Sequence, residues 1–496
     1  MVLQREIAAP VWGWAEPGEE VTVILGAARK ATAADPDGRW IVKLDPLKTA
    51  EPQTLIVKGK NTLTIQDVLI GEVWLCSGQS NMELKVSSAK DFAQEKAAAN
   101  LPGIRMFTVE RNSQPEPQVD FRGKWEVCSP ATIHNFSATA FFYGRRLHQE
   151  LGVPVGLINS SWGGTPIEAW TSLDAQQALP EYATIEARTK KLTAQLWDEA
   201  KAATAYAERE AAWKVAAEAA RAQGQRPKAP PIRPIDPRLD QHHPANLFNG
   251  MIAPLIPYGL RGGIWYQGET NAEGGIAPLY GRQLTTLIQD WRHRWGSEFP
   301  FAWVQLPEFF APQKTPSETT GWVLVREGML KALSLPRTGM VVTLGLGSAT
   351  TIHPKNKQDV GARLATWALA DVYEKRGVVG FGPLPAGQAI RGAEITVSFT
   401  HTDGGLVAKD GDLKGFAIAG EDRKWVRASA KIEDGKVIVS SMEVPNPVAV
   451  RYAWASNPEF NLYNGAGLPA SPFRTDDWED KLVPLRSTTG KPDENL

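Results

Sequence analysis

Four short apolar runs, each closing on glycine, serine or a polar cluster, constrain this chain most strongly. VLIGEVWLCSG ends at Gly78, GVPVGLINSSWGG at Gly164, GGIWYQGE at Glu269 and GMVVTLGLG at Gly347. They are nearly continuous rather than alternating, the pattern of strands buried on both faces of a parallel sheet. Between them lie helical stretches such as ATAFFYGRRLHQEL and LYGRQLTTLIQDWRHRW. Alternating strands and helices predict a three-layer α/β domain.

Both ends of the chain read differently. EEVTVIL, WIVKL and the hairpin in QTLIVKGKNTLTIQDV predict a small β-sandwich over 1–66. AEITVSF, LKGFAIAG, KWVRASAKI, KVIVSS and AVRYAWA, separated by GG and DG turns, predict a second β-sandwich and a tail over 379–496. The α/β domain then occupies 67–172 and 241–378. Residues 173–240 interrupt it with an Ala-, Glu-, Lys- and Gln-rich stretch of strong helix formers. The strip RPKAPPIRPIDPR follows as a stiff, extended return arm. This insertion reads as a solvated helical hairpin that braces the fold.

Charge narrows the partners. The 496 residues carry 54 Lys and Arg against 55 Asp and Glu, a net charge of −1. There is no positive surplus for nucleic acid or an anionic membrane. No run approaches the ~20 apolar residues that span a bilayer. Two cysteines, Cys76 and Cys128, support neither a disulfide framework nor a four-thiolate zinc site. The pair His242-His243 has no acidic cluster beside it, and no H-E-x-x-H or phosphate-binding glycine loop occurs. No metal or cofactor is expected.

Chemistry concentrates where the apolar runs end, the edge at which α/β sheets place ligands. In GEVWLCSGQSNM, Ser80 follows a glycine turn and opens a predicted helix. Taken alone, a serine there is a helix cap. In INSSWGGTPIEAW, the adjacent Gly163 and Gly164 let the backbone approach a ligand. In GGIWYQGETN, Gln267, Glu269 and Asn271 follow a buried strand, and a side-chain amide there could donate to an oxyanion. In TTIHPKNKQDVGARLATWAL, His353 sits in the loop before a helix that starts after Pro354, a place suited to a general base. The block around Ser80 is not the G-x-S-x-G elbow, because Met82 stands two residues on.

Taken together, GQSN, WGGT, QGET and IHPKNKQ resemble, in that order, the blocks of the SGNH-type esterases, and within them the bacterial sialate O-acetylesterase-like carbohydrate acetylesterases. MVLQR, VWGWAEPGEEV and LFNGMIAPL extend the resemblance, and only the helical insertion falls outside it. The resemblance implies a flavodoxin-like SGNH catalytic domain flanked by β-sandwiches, with Ser80 as nucleophile and His353 as its base. It implies an oxyanion hole built from the N–H of Ser80, the N–H of Gly164 or Gly163, and Gln267. Many relatives carry Asp two residues before the histidine to orient the imidazole. Here that position is Thr351, preceded by Thr350. In the serine-protease template, a neutral replacement that imposes the wrong tautomer costs about 10⁴ in rate. A Ser–His dyad is therefore expected, with Glu269 or Asp359 as carboxylates that could act from elsewhere.

The resemblance thus points to a serine esterase that removes acetyl groups from O-acetylated sialic acid, or from acetylated xylan or xyloglucan. Trp162 is one aromatic placed to contact the sugar. The alternative is a glycan-binding protein on the same scaffold that has lost turnover. The opening MVLQREIAAPVWGWAEPG has neither a basic segment nor an apolar core of a secretory signal. Polymeric glycans nonetheless lie outside the cytoplasm, so a secreted or periplasmic location is expected.

Overall fold

The computed structural model describes residues 1–49, 51–193, 197–234, 236–273 and 275–485. Within the predicted segments, positions 194–196 and 235 of the insertion and the tail 486–496 lie outside the described residues.

The central sheet runs in the order Thr338–Val341, Phe301–Val304, Gly262–Tyr266, Thr62–Gly78, Val155–Ser161, Leu101–Thr108 and Trp125–Cys128. All neighbours pair in parallel except the last strand. Thr62–Gly78, the first strand of the α/β domain, is therefore central. The chain leaves it to build one side of the sheet, then returns to build the other. Such a reversal opens a crevice at the carboxyl ends of the middle strands. The apolar runs are buried as their composition predicts: every residue of Val155–Ser161, Gly262–Tyr266 and Phe301–Val304 is buried. Helices Ala138–Leu151, Tyr280–Trp295, Gly321–Lys331 and Lys357–Trp367 accompany the sheet. Three of them coincide with the stretches read as helical.

The 17-residue strand Thr62–Gly78 serves two sheets. Its first part pairs antiparallel with Gln53–Lys58 in the N-terminal β region, and its second part enters the parallel sheet. The register shifts between the two, where Asp67 adopts a φ of 56° and binds Arg105 through both carboxylate oxygens. The expected boundary near residue 66 is thus a bulge inside one continuous strand. Val2–Gln4 lies parallel beside Leu69–Gly71, and Glu72 below it is fully buried between Arg5 and Arg261. Burial opposes the charge of Glu72, but bonds from these guanidiniums hold its pKa below the usual carboxylate value.

At the other end, the antiparallel sheets gather strands from Leu384–Arg391 to Phe473–Arg474. Arg326, on a helix of the α/β domain and fully buried, donates to the carbonyls of Leu306, Pro307, Ala455 and Ser456, locking this region to the sheet. The insertion forms helices Tyr182–Thr193 and Glu199–Ala222. Of the second helix only Ala217 is buried, and Trp213 Nε1 donates to Lys228 O of the return arm at 2.7 Å. A solvated hairpin with a braced arm is what its composition implies.

Candidate active site

Ser80 and Gly163–Gly164 follow the central strand and one of its neighbours, and Gln267–Asn271 follow the other neighbour. His353 comes from farther away. Its strand, Thr338–Val341, is at the sheet edge, and the connecting loop carries it back across two strands. That loop is anchored where it arrives, since Lys90 N–H donates to Lys355 O at 2.8 Å.

Ser80 is the first residue of the helical turn Ser80–Glu83, and the capping position is taken by Gln79. Ser80 is therefore not the cap, and its N–H has no partner one turn earlier. Gly78 makes the turn possible. Its φ is 139°, and a Cβ there would lie 2.1 Å from Tyr266 O. Gly163 sits against the serine: a Cβ at this position would lie 3.3 Å from Ser80 Cβ.

Buried side chains cross-link the four blocks. Gln79 Oε1 accepts from the N–H groups of Gly268 (3.4 Å) and Thr270 (3.3 Å). Asn81 Nδ2 donates to Glu269 Oε1 at 2.6 Å and to Ile352 O at 2.9 Å. Lys357 Nζ donates to Asn81 Oδ1 at 2.6 Å and to Pro354 O at 2.8 Å. Asn271 Oδ1 accepts from Ile167 N–H at 3.0 Å, and its Nδ2 donates to Glu168 at 2.8 Å.

Two expectations change on this geometry. Gln267 is fully buried, and its amide hydrogens go to Thr165 O (3.1 Å) and Asn271 Oδ1 (2.7 Å) while Tyr280 donates to its oxygen. With both hydrogens engaged, Gln267 braces the Gly163–Thr165 turn and has no donor left for an oxyanion. Gly163 N–H donates to Glu83 Oε2 at 2.8 Å, whereas Gly164, exposed and at φ 76°, makes no N–H bond among the described residues. Gly164 is the better placed of the two donors.

Glu269 and Asp359 also take other partners. Glu269 faces Asn81, and burial raises its pKa against that hydrogen bond. Asp359 is exposed and binds Asn356 at the start of the following helix. Among the described residues, no side chain hydrogen-bonds the His353 ring. Thr351 Oγ1 accepts from His353 N–H at 3.2 Å, a bond to the backbone rather than the imidazole. His353 is exposed at the surface, yet desolvation by the surrounding protein, then the nearby Lys357, lower its pKa, and Glu83 opposes them. Glu83 itself is bound by Arg111, whose guanidinium lies 5.1 Å over the half-buried Trp162 ring. His242 pairs with Asp240 at 2.7 Å.

Glu83, Arg111, Asn81 and Lys357 were not singled out by spacing. Asn81 and Lys357 lie inside GQSN and IHPKNKQ, but a lysine beside prolines and polar residues carries no sign of burial.

Comparison with known proteins agrees with this assembly. The family described as "carbohydrate esterase, sialic acid-specific acetylesterase" matches residues 70–222 and 245–370. The insertion helices therefore lie within the match, which corrects the expectation for the insertion; of that insertion, only the Pro-rich arm from 223 onward falls outside, as do residues 1–69 and 371–496 at the two ends of the chain. The sialate O-acetylesterases of Mus musculus and Homo sapiens are each 30% identical over 95% of this chain and cover 92% and 90% of their own lengths. The crystal structure of a carbohydrate acetylesterase from Xanthomonas citri is 35% identical with a TM-score of 0.79, covering 96% of this chain and 97% of that one.

Proposed function

The chain belongs to the sialic acid-specific acetylesterase family of carbohydrate esterases, and on that premise we propose that it cleaves acetyl esters of sugars through an acetyl-Ser80 intermediate. The observation that carries this reading is the convergence of four distant blocks on one serine at the switch point of the sheet.

His353 takes the Ser80 proton as Oγ attacks the acetyl carbonyl. The N–H groups of Ser80 and Gly164 receive the developing oxyanion. Collapse expels the sugar hydroxyl, to which His353 returns the proton. Water, deprotonated by His353, then attacks the acetyl-enzyme and releases acetate. A lowered His353 pKa keeps the imidazole neutral, as a base must be.

The substrates that fit this reading are O-acetylated sialic acid, as the names of the mammalian relatives suggest, and acetylated hemicellulose such as xylan or xyloglucan. Either class would place the protein outside the cytoplasm, secreted or periplasmic. A second reading, a glycan-binding protein without turnover, is favoured by one observation: no carboxylate is bonded to the His353 ring among the described residues. Acetate release separates the two when measured on O-acetylated sialic acid, acetylated xylan, acetylated xyloglucan and a chromogenic acetate ester. Turnover that Ser80→Ala abolishes supports the esterase and its preferred substrate names the sugar. Sugar binding without acetate release supports the second reading.

A further inference from the structure

We propose that Asn81, Glu269 and Lys357 form a buried clamp that positions the His353 imidazole toward Ser80, a role that the absent carboxylate before His353 would otherwise share. This rests on the reading of Ser80 and His353 as the reacting pair.

His353 has no side-chain partner on its ring among the described residues, so something else must fix the loop. The carbonyls on either side of it are both held. Ile352 O accepts from Asn81 Nδ2 and Pro354 O from Lys357 Nζ. The two donors are bonded to each other through Asn81 Oδ1, and Glu269 Oε1 takes the remaining Asn81 hydrogen. Asn81 immediately follows Ser80, so nucleophile and histidine loop are tied through one residue. The clamp is interior: Asn81 and Lys357 are fully buried, and Lys357 Nζ lies 5.3 Å over the Tyr266 ring. Such burial is expensive for an ammonium unless it is paired and hydrogen-bonded.

The clamp also sets the charge near the base. Lys357 from the following helix and Glu83 from the Ser80 turn act on the His353 charge, and Lys357 is itself faced by Glu269 and by the Tyr266 ring. Burial pushes the Lys357 pKa down to about 7 while Glu269 opposes it, and the Lys357 charge lowers the pKa of His353. That charge favours the neutral imidazole.

None of the three residues touches the reacting atoms; they act as positioning residues. The test is steady-state hydrolysis of a chromogenic acetate ester across pH by the full chain and by Lys357→Met, Asn81→Asp, Ser80→Ala and His353→Ala. Misplacement of a catalytic group by about 1 Å costs up to ~100-fold, so Lys357→Met and Asn81→Asp should each lose ~10- to 100-fold in kcat with KM within about threefold. Lys357→Met should in addition move the acidic limb of kcat/KM to higher pH, because a cation beside the base is gone; a purely structural lysine would leave the limb in place. Asn81→Asp is nearly isosteric and keeps the test alive if Lys357→Met does not fold. If folded Lys357→Met and Asn81→Asp proteins match the parent in kcat and pH limb while Ser80→Ala and His353→Ala are inactive, the clamp is overturned and the Ser–His reading stands. If Ser80→Ala or His353→Ala keeps parental activity, both fall together.

Discussion

Among single residues, the proposed chemistry turns on His353, whose ring no carboxylate bonds among the described residues. Desolvation by the surrounding protein and the Lys357 charge both disfavour its imidazolium, and Glu83 only partly offsets them. Since the base must be unprotonated, kcat/KM should rise with pH through an apparent pKa below the ordinary histidine value of about 6.5. Activity is then retained into mildly acidic solution. A limb centred at or above the ordinary value, measured on a chromogenic acetate ester, would contradict this account. Ser80, Gly164 and His353 could all be picked out as residues where buried strands end. Gln267 could not be judged in that way, because a buried glutamine donates either to substrate or to its neighbours. Here Thr165 O and Asn271 Oδ1 take both hydrogens.

Among elements, the buried strands and helices were legible because composition controls them directly. Helix Ala138–Leu151 begins after Ser137, whose hydroxyl accepts from Ala140 N–H, and ends at Gly152 with φ 65°. The residues quoted from sequence as helical there are the helix itself. The path of the histidine loop was not legible. Thr338–Val341 lies at the sheet edge, and nothing in TTIHPKNKQ tells how far the chain must travel back to reach Ser80. What decides the path is a set of long-range bonds, Asn81 to Ile352 and Lys357 to Asn81, across more than 270 residues of sequence. The boundary near residue 66 was half legible. The change of character is real, but it falls on the Asp67 bulge of a strand shared by both sheets.

For the whole molecule, the flanking β regions are built into the catalytic domain. The N-terminal strand Val2–Gln4 lengthens the central strand's pairing, and at the other end Arg326 spans the junction. Its pKa is pushed down to about 10 by complete burial, yet it keeps four carbonyl partners. Arg326→Met would strip Leu306 O and Ala455 O of their donor, at about 1–3 kcal/mol for each unsatisfied buried group, while Pro307 O keeps Trp322 Nε1 and Ser456 O keeps Phe309 N–H. Calorimetry should therefore show the variant losing about 3 kcal/mol or more, with a lower thermal midpoint; an unchanged midpoint would mean that the junction contributes nothing. In the proposed reaction, acetyl passes through Ser80. The most direct measurement is rapid-quench peptide mass spectrometry after mixing the protein with an acetate ester. An acetyl group should appear on the peptide containing Ser80 and be absent in Ser80→Ala, which should release no acetate. Acetate release by Ser80→Ala at the parental rate, with no acetyl on that peptide, would contradict this reaction.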